Sequence, residues 1–202
     1  MKLYHAPGAC SLAPHVALRE AGLPVDLVRV DLRARKTASG EDYSAINPKG
    51  YVPALQLDDG TLLTEIAALL QYIADRVPEK KLAPAAGTME RYRLQEWLHF
   101  IGTEIHKAFG PLFNPATTDE QRKAALERIS GRLDFVAKHL ENRPYLLGEA
   151  FTVADAYLYT VLRWTRRTGP ELQKWPALEA YVQRVSERDG VKAALQAEGL
   201  EK

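Results

Sequence analysis

The sharpest chemical feature of the sequence is its single cysteine, Cys10, which lies between a Pro7-Gly8 break and the run from Ser11 to Gly22. In that run Leu12, His15, Val16, Leu18 and Arg19 recur at helical spacing. The thiol is therefore placed at the start of a helix, where unpaired amides and the helix dipole favour an anion. A thiolate in such a position has a lowered pKa and is the nucleophilic species. A buried thiol packed as a small hydrophobe is the competing reading. No second cysteine exists, so a dithiol pair is excluded and any disulfide must form with another molecule.

Val52-Pro53 opens a strand-like run, and two readings stand open there. It is either an edge strand with a trans proline, or a cis turn that exposes the Val52 backbone to pair with a peptide-like ligand. Thr64-Glu65-Ile66 reads as a helix start after a strand. Its amides suit a carboxylate and the Glu65 side chain suits an amine, while simple capping by Thr64 is compatible with both. Arg35 and Lys36 are either solvated charge or a clamp for an acidic ligand end. His99, Thr103 and His106 share one helix face beside an apolar stripe, and they form either a hydrated face or a polar lining. Their spacing is not that of a zinc site, and no metal is expected. Thr152-Val153-Ala154-Asp155 reads as a structural capping box.

The elements that must position these groups divide the chain. Lys2 to His5 and Asp26 to Val30 read as strands flanking the first helix. The polar stretch from Asp31 to Tyr43 has room for a turn of helix only. Tyr51 to Leu57 and Thr61 to Thr64 read as a hairpin about Asp58-Asp59-Gly60, followed by a helix from Glu65 to Arg76. Residues 1–77 thus form a βαβ-ββα domain and 78–87 a linker. Residues 88–202 form an all-helical domain, with helices expected over 89–109, 118–141, 152–167, 177–188 and 191–197. The fold class read from these elements is an α/β N-terminal domain plus an all-α C-terminal domain.

Composition limits the function classes. The 202 residues are 46% hydrophobic and 26% charged, an ordinary globular balance. A formal net charge of +1 argues against nucleic acid as a partner. No apolar run approaches the roughly 20 residues of a membrane span. Met-Lys-Leu-Tyr-His at the start lacks the apolar core of a signal peptide, so a cytoplasmic location is expected.

In combination these motifs resemble the soluble glutathione S-transferases, most closely their bacterial beta class, over essentially the whole chain. The residues that carry the resemblance are Met1-Lys2-Leu3-Tyr4, Pro7-Gly8-Ala9-Cys10-Ser11-Leu12, Asn47-Pro48-Lys49-Gly50-Tyr51-Val52-Pro53, Leu63-Thr64-Glu65 and Phe151-Thr152-Val153-Ala154-Asp155-Ala156-Tyr157. The resemblance implies a thioredoxin-like fold for the α/β N-terminal domain beside the all-α C-terminal domain, glutathione as co-substrate with no further cofactor, a small hydrophobic electrophile as second substrate, and a homodimer. It implies catalytic roles for Cys10 and His106. Val52 would pair through its backbone with the cysteinyl part of glutathione, and Glu65 and the Ile66 amide would hold the γ-glutamyl end. Arg35, where a lysine is commoner, would face the glycyl carboxylate. His99, Thr103, Glu104 and His106 would approach glutathione from the helical domain, with Lys107 beside them at the electrophile site. Ile66, His99 and His5 depart from the usual residue types, and the roles of Tyr4, His5 and Ser11 stay open. Conjugation of glutathione and Cys10-based thiol transfer are both implied, and His106 is expected to titrate near pH 6.5. The alternative is a non-catalytic member of the fold that carries ligands or a partner protein.

Overall fold

The structure, a computed structural model, describes residues 1–200. It resolves into two compact units. One comprises Met1–Ala83 with the residues from Arg188 onward, the other Pro84–Glu187. The boundary after Ala83 falls inside the expected linker, which also holds one 3-10 turn, Pro78–Lys80.

The first unit is built on strands β1 (Lys2–His5), β2 (Asp26–Asp31), β3 (Lys36–Thr37), β4 (Ala54–Gln56) and β5 (Leu62–Thr64). Their order is β3-β2-β1-β4-β5, with β1 parallel to β2 and every other pair antiparallel. A parallel pair needs a crossover, and helix α1 (Leu12–Ala21) supplies it. Gly22 ends α1 in the left-handed region at φ 69, where its N–H returns to the Arg19 carbonyl. Alternation along β1 sends Leu3 and Tyr4 to opposite faces. Tyr4 joins Val30, Tyr43, Val52 and Ala54 in one cluster. Its ring lies 5.6 Å from that of Tyr43, so Tyr4 is a packing residue beneath the loop that carries Val52. Helix α2 (Tyr43–Ile46) precedes that loop, and α3 (Ile66–Asp75) follows β5. This is the expected thioredoxin-like arrangement with one addition. The short edge strand β3 sits in the polar stretch, where two paired residues leave no periodic signal.

The second unit is helical. The helix expected over residues 89–109 is instead α4 (Met89–Phe100), a π-helical turn (Ile101–His106) and a 3-10 turn (Lys107–Phe109), followed by α5 (Gly110–Phe113). Helix α6 (Asp119–Leu140) carries the expected capping box: Thr118 Oγ1 accepts from Gln121 N, and Gln121 Oε1 accepts from Thr118 N. Helix α7 (Val153–Leu162) is buried at every position, which fits its apolar character all round. Asp155 in its first turn is fully buried and satisfied. It accepts from Leu146 N (2.9 Å), Thr152 N (2.8 Å), Thr152 Oγ1 (3.0 Å) and Tyr181 Oη (3.1 Å). Helix α8 (Pro176–Ser186) supplies Tyr181.

The last helix, α9 (Asp189–Ala197), corrects the expected domain composition. It packs on α1 and belongs to the first unit rather than to the helical one. Its apolar face, Val191, Ala194 and Leu195, is buried, and Arg188 at its start grips Glu20 of α1 through two hydrogen bonds. An amphipathic pattern shows that a helix has a covered face but not which core covers it. The final two residues of the expected helical domain lie outside the described residues. Among the described residues, no helix is long and apolar enough to cross a membrane.

Candidate functional site

The loop between β1 and α1 is fixed before it reaches the thiol. Ser11 Oγ accepts from Ala6 N (3.1 Å) and donates to Ala6 O (3.2 Å), closing the loop on itself. Gly8 N donates to Glu198 Oε2 at 2.9 Å. The Cys10 carbonyl accepts from Ala13 N, so Cys10 opens the first helical turn as expected. The thiol is half-buried, and its Sγ donates to the Val52 carbonyl at 3.2 Å. Two opposing influences therefore meet at the sulfur. The helix start favours the thiolate, whereas a carbonyl acceptor needs the proton in place.

Glu198, just past α9, has a fully buried side chain. Its Oε1 lies 2.8 Å from His15 Nδ1 and 3.6 Å from His5 Nδ1. Arg19 Nε donates to His15 Nε2, which leaves Nδ1 as the proton-bearing nitrogen facing Glu198. Burial pushes the Glu198 carboxyl upward, but His15, His5 and the Gly8 amide outweigh it and bring the pKa down to about 2. His5 and Ser11 thus serve the loop that carries Cys10. At 3.6 Å the His5 contact is electrostatic, beyond hydrogen-bond length.

Val52 is held by its neighbours. Tyr43 Oη and Asn47 Nδ2 both donate to the Tyr51 carbonyl, at 3.0 and 2.8 Å. The Val52–Pro53 bond is cis. Beyond Tyr51 lies Glu65, which ends the hairpin at φ 70 and precedes α3. Capping of α3 by Thr64 does not occur: Glu65 occupies the N-cap position, and the Thr64 hydroxyl accepts from Lys49 Nζ. Lys49 Nζ and Tyr51 Oη both lie 2.6 Å from Glu65 Oε1. The hydrogen bond to Glu65 raises the pKa of each of them. The Ile66 side chain is buried, so its backbone amide is what it can offer a ligand. The first unit therefore joins Cys10, Val52 and Glu65 through a continuous chain of contacts. Arg35 stands apart from that chain on the exposed turn before β3, at φ 54, and its carbonyl accepts from Tyr43 N.

In the second unit His106 is part-buried among aromatic rings. Its Nδ1 lies 2.7 Å from Tyr157 Oη, and its ring meets Trp164 edge-on at 4.9 Å. Trp164 in turn meets Phe113, which is exposed. Burial, with Lys107 next in effect, lowers the His106 pKa to about 4. The expected titration near pH 6.5 is thereby corrected, and the ring is neutral at neutral pH. The π-helical turn spans Ile101–His106 and resets the phase of the helix at the predicted residues. Thr103 Oγ1 donates to the His99 carbonyl, and His99 Nδ1 donates to the Gln95 carbonyl. Both residues are exposed, as is Lys107. Glu104 is bound by Arg132 at 2.6 Å and Arg128 at 3.4 Å. The Arg132 hydrogen bond leads in lowering its pKa.

Sequence reasoning did not single out Lys49, Glu198 or Tyr157. Lys49 and Tyr157 lay inside motifs already noticed. Glu198 is separated from Gly8 by 190 positions, and nothing local marks it.

Comparison with known proteins follows the same division. Residues 8–76 match the model for the glutathione S-transferase N-terminal domain, and residues 100–189 match that for the C-terminal domain. A solved ternary complex of BphK, a bacterial GST, is 57% identical with a TM-score of 0.98, covering 99% of this chain and 100% of that one. A sphingomonad glutathione S-transferase solved with glutathione is 52% identical, TM-score 0.96, over 99% and 100% of the two chains. A bacterial beta class enzyme from Sphingomonas chungbukensis is 50% identical, TM-score 0.96, with the same coverage. The curated glutathione S-transferase GstA of Escherichia coli O157:H7 is 48% identical over 200 residues, 99% of this chain and 100% of the relative.

Proposed function

The chain belongs to the glutathione S-transferase family, in its bacterial beta class, and as such a transferase we propose that it holds glutathione in its first unit and uses Cys10 for thiol transfer. The observation that carries this reading is the contact chain from the Cys10 thiol through Val52 to Glu65. Glutathione is a peptide with a reactive sulfur between two charged ends. The Val52 backbone suits the cysteinyl amide, and Glu65 with the Ile66 amide suits the γ-glutamyl zwitterion. Arg35 is assigned to the glycyl carboxylate.

A cysteinyl N–H donating to the Val52 carbonyl competes with the Cys10 thiol for the same acceptor. Loss of that acceptor removes the influence that keeps the proton on sulfur, and the helix start then favours the thiolate. In thiol transfer the Cys10 thiolate attacks the glutathione sulfur of a mixed disulfide. A Cys10–glutathione disulfide forms and the target thiol leaves. A second glutathione thiolate then attacks that disulfide, giving glutathione disulfide and free Cys10. In conjugation the glutathione thiolate itself attacks an electrophilic carbon and the leaving group departs.

The second substrate is assigned as a small hydrophobic electrophile, met by Lys107 and the rings around His106. His106 acts as a neutral hydrogen-bonding group. A homodimer is assigned as the working form in the same proposal, and the cytoplasm as its location.

Turnover assays with a generic aromatic electrophile and with a glutathione mixed disulfide test the reading. Cys10→Ala is expected to abolish the second activity and to keep most of the first. Loss of conjugation alone, with disulfide turnover intact, rejects the assignment of Cys10.

A further inference from the structure

The γ-glutamyl end of glutathione is an amino-acid zwitterion, with an ammonium and a carboxylate on one carbon. A site for it needs an anion and a cation placed side by side. The first unit has such a pair: Lys49 Nζ and Glu65 Oε1, 2.6 Å apart, with side chains 46% and 58% exposed. The Glu65 side chain does not cap its own helix. Its Oε1 instead takes Lys49 and the Tyr51 hydroxyl together. Lys49 is positioned from its backbone, where its N–H donates to Asn47 Oδ1 at 3.2 Å and Gly50 turns the chain at φ 72.

Building on the glutathione site proposed above, we infer that Lys49 is a binding residue for the ligand's α-carboxylate. In the unbound protein its ammonium occupies the place of the ligand's α-ammonium on Glu65. Binding exchanges partners: the incoming ammonium takes Glu65, and Lys49 turns to the incoming carboxylate. Exposed ion pairs are weak, so the exchange meets little resistance. The number of ion pairs rises from one to two, and Lys49 selects for ligands that carry both charges. The Tyr51 hydroxyl keeps Glu65 in place while its cation changes.

Calorimetry on the full chain tests this with three ligands. Glutathione carries both charges, glutaryl-cysteinyl-glycine lacks the ammonium, and 4-aminobutanoyl-cysteinyl-glycine lacks the α-carboxylate. Lys49→Met is expected to weaken the first two roughly five- to tenfold and to leave the third within about twofold, with the melting temperature unchanged. Equal losses for all three ligands, or no loss for glutathione, overturn the inference. A parent chain that binds glutathione alongside an indistinguishable Lys49→Met variant overturns this inference alone. A parent chain that does not bind glutathione overturns the underlying reading as well.

Discussion

At the scale of single residues, the predicted chemistry depends on local contacts that sequence spacing does not carry. Cys10 is placed by its position before α1, yet its proton is held by a carbonyl 42 residues away. His106 illustrates the same point. Its type suggests a titrating group, but burial and the neighbouring Lys107 bring its pKa to about 4. The imidazole is then neutral from about pH 5.5 to 8, and its contribution is a hydrogen bond rather than a charge. His106→Ala should lower turnover by about tenfold, the scale of one lost hydrogen bond. The ratio of parent to variant should stay flat over that pH range. Turnover measured at half-unit steps checks this. A ratio that steps near pH 6.5 shows instead that the ring titrates in use.

At the scale of elements, the C-terminal helix governs the loop that carries the thiol. Helix α9 delivers Glu198 to Gly8 N and His15 Nδ1, so two segments far apart in sequence set one loop geometry. Because the folded-state pKa of Glu198 is depressed from 4.5 to about 2, its ionised form stabilises the fold. That contribution is complete above about pH 4.5 and is lost as pH falls through about 2. The difference corresponds to about 3 kcal/mol at neutral pH. Glu198→Gln should therefore lower the urea midpoint near pH 7 and should lack the parent's loss of stability between about pH 4.5 and 2. Coincident unfolding curves for parent and variant at neutral pH contradict this role. The sequence marks a terminal helix over 191–197 but not that it covers α1, since periodicity has no information about partners. The π-helical turn at Ile101–His106 was hidden for a related reason, as the apolar stripe continues through it.

At the scale of the whole molecule, the two-unit architecture was legible because the character of the chain changes near Pro84, from mixed strand and helix to helix throughout. The hairpin was readable from Asp58-Asp59-Gly60, and the first crossover from the stop at Gly22. The strand β3, with two residues, carried no signal, and the domain allocation of α9 was wrong for the reason given above. Of the candidate site, Cys10 was legible because it sits at a helix start after the Pro7-Gly8 break, and Val52 and Glu65 because they flank strands where a proline or a cap signal marks them. Lys49 was not, because a lone lysine in a turn looks like any solvated charge. The central claim is that the first unit binds glutathione through the carboxylate of Glu65. Titration calorimetry of glutathione into the parent and into Glu65→Gln tests it most directly, since the substitution keeps shape and removes charge. The account predicts binding by the parent and about tenfold weaker binding by the variant at equal thermal stability, and equal affinity for the two proteins contradicts it.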